Sequence, residues 1–318
     1  MVEDFQVRTD LALEARESYE EDDVRIRGVK IEEKKDEERE IYTTIVRIET
    51  ENGAKAMGKP VGTYITLEAP NLSAADEDYH REISEELAGH LCSLIGDEAK
   101  EVLVVGLGNR EVTPDALGPD VVGNLQITRH VMKEFGKATF PSGKVRAVSA
   151  IVPGVMAQTG METLEIVQGV TQETRPDLVI VIDALAARST RRLNRTIQIT
   201  DTGINPGSGV GNHREGINQE ILGIPVIAIG VPTVVDAATI VNDTMENLIE
   251  AMDNDENLRQ LGTALGTFNR AEKHQMIREL ISPSLNTMFV TPKDIDETVK
   301  RISYTISESL NLLFSAGF

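Results

Sequence analysis

Four short and almost wholly apolar runs dominate the central part of the chain, and stretches of helical periodicity separate them. The runs lie at 102–105, 148–152, 178–182 and 226–229. Because their apolar residues are continuous rather than alternating, the runs are typical of strands covered on both faces, as in a parallel sheet. A further segment at 195–199 alternates apolar and polar residues, which predicts a shorter edge strand.

Helical patterns occupy most of the sequence between and around these strands. A helix is predicted over 73–98 with Ser73 as its N-cap, and others over 119–134, 160–173, 235–252, 271–281 and 292–314. Before residue 70 the pattern is that of short strands. The sequence therefore predicts an α/β fold of phosphorylase/hydrolase-like type, in which helices flank a doubly wound, mostly parallel sheet. A small β-rich N-terminal region over 11–70 precedes a catalytic domain over 71–318.

Composition narrows the class of protein. The chain has 318 residues, 52 acidic against 32 basic, and a formal net charge of −20, which disfavours direct binding to nucleic acid. No apolar run approaches the ~20 residues that span a bilayer, and the first residues lack the pattern of a secretory signal. Cys92 is the single cysteine, which excludes an intrachain disulfide. We expect an acidic cytoplasmic protein without membrane or nucleic-acid partners.

The strand ends carry the candidate chemistry, because ligands of open α/β sheets bind beyond the carboxyl ends of the strands. Asp183 directly follows the run at 178–182, and Asp115 lies in the loop after the run at 102–105. Two neighbouring carboxylates can share one proton, so that one activates a water while the other polarises a carbonyl. For each aspartate the alternative is a helix cap.

Other motifs leave few competing chemistries. Gly106 and Gly108 begin a dinucleotide fingerprint, but Glu111 stands where its third glycine would be. The sequence also lacks a phosphate-binding loop, a serine nucleophile elbow and a metal-binding His-Glu-x-x-His helix. His130 and His213 are not assigned as ligands. What remains is a hydrolase that uses paired carboxylates or carboxylates with a metal. Candidate substrate-binding residues at the rim are Gly154, Arg188, Gly207, Ser208 and Gly209.

At these residues the sequence resembles the germination proteases of spore-forming bacteria. The motifs that carry the resemblance are VGLGN at 105–109, TPDALGP at 113–119, PGVM at 153–156, IDALAAR at 182–188, PGSGVGN at 206–212 and GIPVIAIGVPTVVD at 223–236. The resemblance implies a fold similar to that of hydrogenase-maturation endopeptidases. It implies an endopeptidase that degrades small acid-soluble spore proteins during germination, within the forespore or spore core, and that assembles as a homotetramer.

The same resemblance implies that Asp115 and Asp183 form an atypical aspartic pair, and we expect neither a metal nor another cofactor. It also implies a zymogen whose propeptide, residues 1–10, is removed by self-cleavage between Asp10 and Leu11, although Asp10 is also a plausible helix cap. The first alternative is a metal-dependent maturation endopeptidase of the hydrogenase-maturation type. The second is a non-enzymatic module that uses the loop at 201–212 to clamp a ligand.

Overall fold

The computed structural model of the chain describes residues 26–96, 99–136, 140, 145–207, 214–255, 258 and 288–315. The helix predicted at 271–281 lies outside these ranges. Within them, no helix has both the length and the apolar character that crossing a membrane requires.

The described strands form one nine-stranded sheet with a parallel and an antiparallel half. The strands are β1 (Val29–Asp36), β2 (Ile41–Ile48), β3 (Gly62–Glu68), β4 (Glu101–Gly106), β5 (Ala147–Ile151), β6 (Leu178–Ala187), β7 (Thr196–Thr200), β8 (Val226–Asp236) and β9 (Phe289–Val290). Their order is β1-β2-β3-β7-β8-β6-β4-β5, and β9 pairs with β8. Neighbours among β8, β6, β4 and β5 are parallel, whereas β1, β2, β3, β7 and β8 pair in antiparallel fashion.

Helices in the described ranges flank this sheet. They are α1 (Glu51–Met57), α2 (Glu77–Ile95), α3 (Leu117–Gly123), α4 (Arg129–Phe135), α5 (Met156–Thr159), α6 (Thr163–Thr174), α7 (Gln219–Leu222), α8 (Ala237–Asp253) and α9 (Ile295–Phe314). The predicted α/β fold with a helix-flanked, mostly parallel core is confirmed.

The parallel half is covered on both faces, as its continuous apolar runs predict. On β4, Val102 and Val104 pack into the core cluster that contains α2, α3 and α9. The alternate residues Leu103 and Val105 pack into a second cluster with α6. Successive residues of a strand point to opposite faces, so a strand between two helical layers has no polar side to preserve.

The segment predicted as an edge strand is an interior strand, and that prediction is wrong. β7 pairs with β3 on one side and with β8 on the other, and all five of its residues are buried. Its alternate polar residues Thr196, Gln198 and Thr200 are 1 %, 6 % and 5 % exposed. The alternation therefore does not mark a solvent face. The N-terminal strands cover β7 and extend the same sheet.

Several helix boundaries differ from the predicted ones for local reasons. The predicted helix at 119–134 is two short helices, α3 and α4, separated by residues 124–128. Thr128 holds the break, because its hydroxyl donates to the Arg146 carbonyl and accepts from the Val148 amide on β5. The N-cap of α2 is Asp76 rather than Ser73, and its carboxylate accepts from the Tyr79 amide at 3.1 Å.

The end of β4 packs against α3 at a contact between two glycines. A Cβ on Gly106 would stand 2.3 Å from the Gly118 carbonyl oxygen, and a Cβ on Gly118 would stand 2.4 Å from the Leu107 oxygen and 2.7 Å from the Ile182 oxygen. Real Cβ atoms do not approach backbone this closely. The two glycines therefore let α3 lie directly on the strand ends, next to the loop that carries Asp115.

We expect Gly118→Ala to lower the free energy of unfolding by about 1–3 kcal/mol, because the added methyl group has no space without backbone movement. Gly123, at the exposed end of the same helix, is the matched control, since nothing lies within 4 Å of its Cβ position. Gly123→Ala should be neutral or stabilise the fold by up to about 1 kcal/mol. Urea unfolding of both variants measures the difference. Equal midpoints would contradict a tight contact at Gly118.

Candidate active site

A cavity opens where β4 ends and the neighbouring strand β6 continues. β4 and β6 pair as far as Gly106 and Ile182, and the next amide, Leu107, donates to the Ile182 carbonyl at 2.8 Å. β6 then runs on to Ala187 with β8 as its partner. Asp183 is thus the first residue of β6 beyond the end of β4.

The cavity has a volume of about 420 Å³ and contains both predicted catalytic residues, Asp115 and Asp183, in its lining. The other lining residues come from the loop after β4, the segment after β5, β6, the loops at 205–207 and 214, β8 and β9. They are Leu107, Gly108, Val112, Pro114, Gly154, Val155, Thr163, Ala184, Leu185, Ala186, Asn205, Pro206, Gly207, Arg214, Thr233, Val234, Phe289 and Thr291. The structure therefore brings two carboxylates, 68 positions apart (183 minus 115) in the sequence, to one cavity.

Asp115 ends a short 3₁₀ helix, Thr113–Asp115, that is fastened at several points. The Asn109 amide donates both to Asp115 Oδ2 at 2.8 Å and to the Asp115 carbonyl at 3.1 Å. Gly108, at φ +109°, permits this turn, because a Cβ there would stand 2.0 Å from the Asp115 carbonyl oxygen. The Thr233 hydroxyl of β8 donates to the Pro114 carbonyl at 2.7 Å.

Neither aspartate is a helix cap. The N-cap of α3 is Ala116, with no side-chain cap bond, so Asp115 uses its carboxylate within its own loop. Asp183 lies inside β6, and the following residues continue as a strand rather than as a helical turn. Its side chain is 6 % exposed, and Oδ1 accepts from the Ala184 amide at 3.0 Å. The capping alternative is therefore wrong for both residues.

The electrostatic environment of Asp115 favours its protonated form. Burial raises the pKa of Asp115 above the ordinary value, whereas the hydrogen bond from the Asn109 amide and the positive charge of Arg214 lower the pKa by less. The largest effect is therefore the loss of solvation of the carboxylate, which disfavours its ionised form.

Arg214 is a lining residue that the sequence analysis did not identify. It follows the glycine-rich loop and belongs to no motif with a defined mechanism. Its side chain is half-buried in the cavity wall, and its charge acts on Asp115. The one available signal was a basic residue next to a glycine-rich rim, which is too common to assign a role.

The predicted substrate-binding residues divide into three groups. Gly154 and Gly207 line the cavity and have φ of +74° and +72°, values that favour glycine. Arg188 follows the end of β6 and is not among the lining residues. Ser208 and Gly209 lie outside the described residues, as do the predicted processing residues Asp10 and Leu11.

A second, smaller cavity of about 170 Å³ adjoins the first and shares Leu185 and Asn205 with it. Gly230 makes room for this wall, because a Cβ there would stand 2.4 Å from the Leu185 side chain. Tyr64 lines the far side, where burial raises its phenol pKa to about 12, and its hydroxyl donates to the Pro60 carbonyl at 2.9 Å. The remaining lining is mostly polar: Gly58, Lys59, Pro60, Gln198, Thr200, Thr202, Gly203, Ile204, Asn218, Ala228 and Gly230.

The described residues do not form a metal site of the kind that two carboxylates and a histidine would make. The described lining contains Asp115 and Asp183 but no histidine, cysteine or glutamate. Within the described ranges, no three His, Cys, Asp or Glu side chains are grouped closely enough to hold a metal ion. His130 is exposed on α4, and His213 lies outside the described residues.

Comparisons with known proteins identify the family of the chain. The family model for germination proteases matches residues 6–257. A germination protease of Caldanaerobacter subterraneus is 50 % identical over 313 residues, covering 98 % of this chain and 95 % of the relative. One from Clostridium perfringens is 48 % identical over 97 % of this chain and 95 % of the relative. One from Bacillus cytotoxicus is 40 % identical over 96 % of this chain and 93 % of the relative.

These matches define an α/β peptidase. The chain belongs to the germination protease family, the peptidases of spore germination. Among solved structures, the hydrogenase maturation protease HycI of Thermococcus kodakarensis has a TM-score of 0.26 and 20 % identity, covering 43 % of this chain and 76 % of that chain.

We expect Asp115→Asn to be at least as stable as the unchanged protein at pH 7. Because the pKa of Asp115 is raised in the folded state, folding favours its proton, so stability is lost as pH rises from the ordinary value of 3.8 through the raised value. The asparagine removes this loss and can still accept from Asn109. Glu111→Gln, exposed on the same loop, is the control.

The measurement is urea unfolding between pH 3 and pH 8, as approximate limits that bracket the usual carboxyl range. The stability difference between Asp115→Asn and the unchanged protein should shrink as pH falls toward 3.8. A difference that grows toward low pH would show that the folded state favours the ionised carboxylate instead.

Proposed function

We propose that the chain is an endopeptidase that begins the degradation of small acid-soluble spore proteins during germination, with Asp115 and Asp183 as its catalytic pair. The observation that carries this proposal is the placement of both carboxylates in one cavity at the carboxyl ends of β4 and β6. Membership of the germination protease family supports the class of reaction and the stage of the life cycle.

The two carboxylates differ in environment, which supports different roles. Asp115, whose pKa is raised, is assigned as the acid that hydrogen-bonds to the oxygen of the scissile carbonyl. Asp183, whose Oδ1 accepts from the Ala184 amide, is assigned as the base. Asp183 takes a proton from water, and the water oxygen bonds to the carbonyl carbon. The carbon–nitrogen bond then breaks, and the leaving amine takes a proton from the pair.

The lining of the cavity is compatible with a peptide substrate. Val112 and Phe289 line the cavity and are 47 % and 42 % exposed, so both offer apolar surface for the contact of an apolar substrate residue. The second cavity adjoins the first at Leu185 and Asn205 and has mostly polar walls. An extended peptide across both has room for several side chains.

Three further parts of the proposal concern regulation, assembly and location. The segment Asp10-Leu11-Ala12 has the order acid, large apolar residue, alanine, which the resemblance gives for the family's substrates, so we propose self-cleavage between Asp10 and Leu11. A propeptide that lies in or near the cavity would explain latency. The homotetramer and the location in the forespore or spore core likewise follow from the resemblance.

We expect Asp115→Asn and Asp183→Asn each to lower the turnover of a small acid-soluble spore protein by about 10²-fold or more, because general acid–base catalysis contributes about 10²–10⁴-fold. The N-terminally matured protein is mixed with the substrate, and mass spectrometry gives the rates and cleavage sites. Glu111→Gln is again the control. Circular dichroism shows whether each variant is folded.

Two outcomes would contradict the aspartate pair. Full activity in either folded Asp→Asn variant would remove that residue from the chemistry. Loss of activity in chelator, with recovery on addition of nickel or another divalent ion, would favour the metal-dependent alternative. Activity that persists in chelator supports a pair without metal.

We expect the full chain to be inactive and a form that begins at Leu11 to be active. Prolonged incubation at mildly acidic pH should convert the first form into the second, and N-terminal sequencing identifies the new terminus. Asp183→Ala, incubated in parallel, should not convert. A different terminus, or equal conversion of Asp183→Ala, would show that this pair does not perform the processing.

A further inference from the structure

Arg214 brings a positive charge into the cavity that contains the two aspartates. It is half-buried, lines the same wall as Asn205 and Gly207, and acts electrostatically on Asp115. Over the described ranges, no carboxylate oxygen lies within 4.0 Å of its guanidinium, and it is the only charged basic side chain in the described cavity lining. A partly desolvated guanidinium without a close counter-ion is an attractive site for an anionic ligand group.

Arg214 lies next to a paired segment of backbone. Ile204 and Ile217 exchange two backbone hydrogen bonds, at 3.0 and 2.8 Å, which joins the two arms of the loop. Gly216 packs against Asn205, and a Cβ on that glycine would stand 2.4 Å from the Asn205 Oδ1 atom. Arg214 is three positions from a buried and paired residue, Ile217, and lines the cavity.

The charge balance of the cavity limits which substrate side chains can enter. If the aspartate pair shares one proton, the pair carries one negative charge and Arg214 carries one positive charge. An acidic side chain near the pair would be repelled without Arg214, whereas the planar guanidinium can bind a carboxylate through two parallel hydrogen bonds. A basic side chain would meet the guanidinium as a like charge.

We propose that Arg214 is a specificity-determining residue, which binds the acidic side chain of the substrate residue whose carbonyl is cleaved. The choice of that residue rests on the proposed function: Asp115 contacts the scissile carbonyl oxygen, and Arg214 is near Asp115. The substrate side chain within reach of Arg214 is therefore the one on the α-carbon bonded to this carbonyl. The ligand chemistry is thus the carboxylate of Asp or Glu.

The test uses two fluorogenic peptides that differ only by Glu or Gln at the residue before the scissile bond. The matured protein should have a kcat/KM ratio, Glu over Gln, of about 10–100, as expected for hydrogen bonds to a charged group. Arg214→Gln should reduce this ratio to near 1, chiefly through slower cleavage of the Glu peptide. Because both peptides meet the same enzyme, the effect of the substitution on the pKa of Asp115 in the free protein cancels in the ratio.

Two further variants strengthen the comparison. Arg214→Lys keeps the charge but not the two-pronged geometry and should have an intermediate ratio. Arg110→Gln is the matched control, because Arg110 is an exposed arginine on the loop before Asp115, donates to the Pro119 carbonyl and does not line the cavity. It removes the same net charge and should leave the ratio unchanged.

A binding measurement separates this inference from the proposed chemistry. Titration calorimetry of both peptides with Asp183→Asn, and with Asp183→Asn combined with Arg214→Gln, measures recognition without cleavage. Tighter binding of the Glu peptide that depends on Arg214 supports the inference even if the pair is not catalytic. Equal loss of kcat/KM for both peptides in Arg214→Gln, or a ratio near 1 in the unchanged protein, would overturn it.

Discussion

The site depends on a mismatch in the lengths of neighbouring strands. β4 stops pairing at Gly106, whereas β6 and β8 stay paired as far as Ala187 and Val235. Beyond that point no strand in the described part of the chain pairs with β6 on the β4 side, and a polar side chain there can face a cavity rather than a core. Asp183 is the first residue in this position, and its backbone remains hydrogen-bonded within the sheet. A buried carboxylate is thus held by a strand without the need for a loop.

The second carboxylate needs a different kind of support, because it comes from the loop that leaves β4. The close contact of Gly106 with Gly118 lets the chain turn back directly over the strand ends. Asn109 fixes the carboxylate of Asp115, and Thr233 ties the preceding proline to β8. Thr291, beside β9, in turn donates to the Thr233 carbonyl at 2.9 Å. The loop that carries Asp115 is thus hydrogen-bonded to β8, the strand that pairs with β6. This connection fixes the position of Asp115 relative to Asp183, as catalysis by a pair of carboxylates requires.

The sequence predicts the parts of this arrangement that depend on local pattern. Continuous apolar runs identify β4 and β6, and the rule that ligands bind at the carboxyl ends of strands then selects Asp115 and Asp183. The remaining features depend on contacts between distant segments. β7 is interior because the N-terminal strand β3 pairs with it. The alternation of polar and apolar residues within β7 does not indicate that pairing. Arg214 lines the cavity close to the pair Ile204 and Ile217, a pairing that no local periodicity indicates.

The role proposed for Arg214 also bears on the protonation of Asp115. In the free protein the charge of Arg214 lowers the pKa of Asp115, in opposition to the larger effect of burial. A substrate carboxylate bound to the guanidinium would neutralise that charge and exclude more water from the cavity. Both changes raise the pKa of Asp115 further. An acidic side chain, which the two aspartates alone would repel, would therefore help to protonate the acid that acts on the adjacent carbonyl.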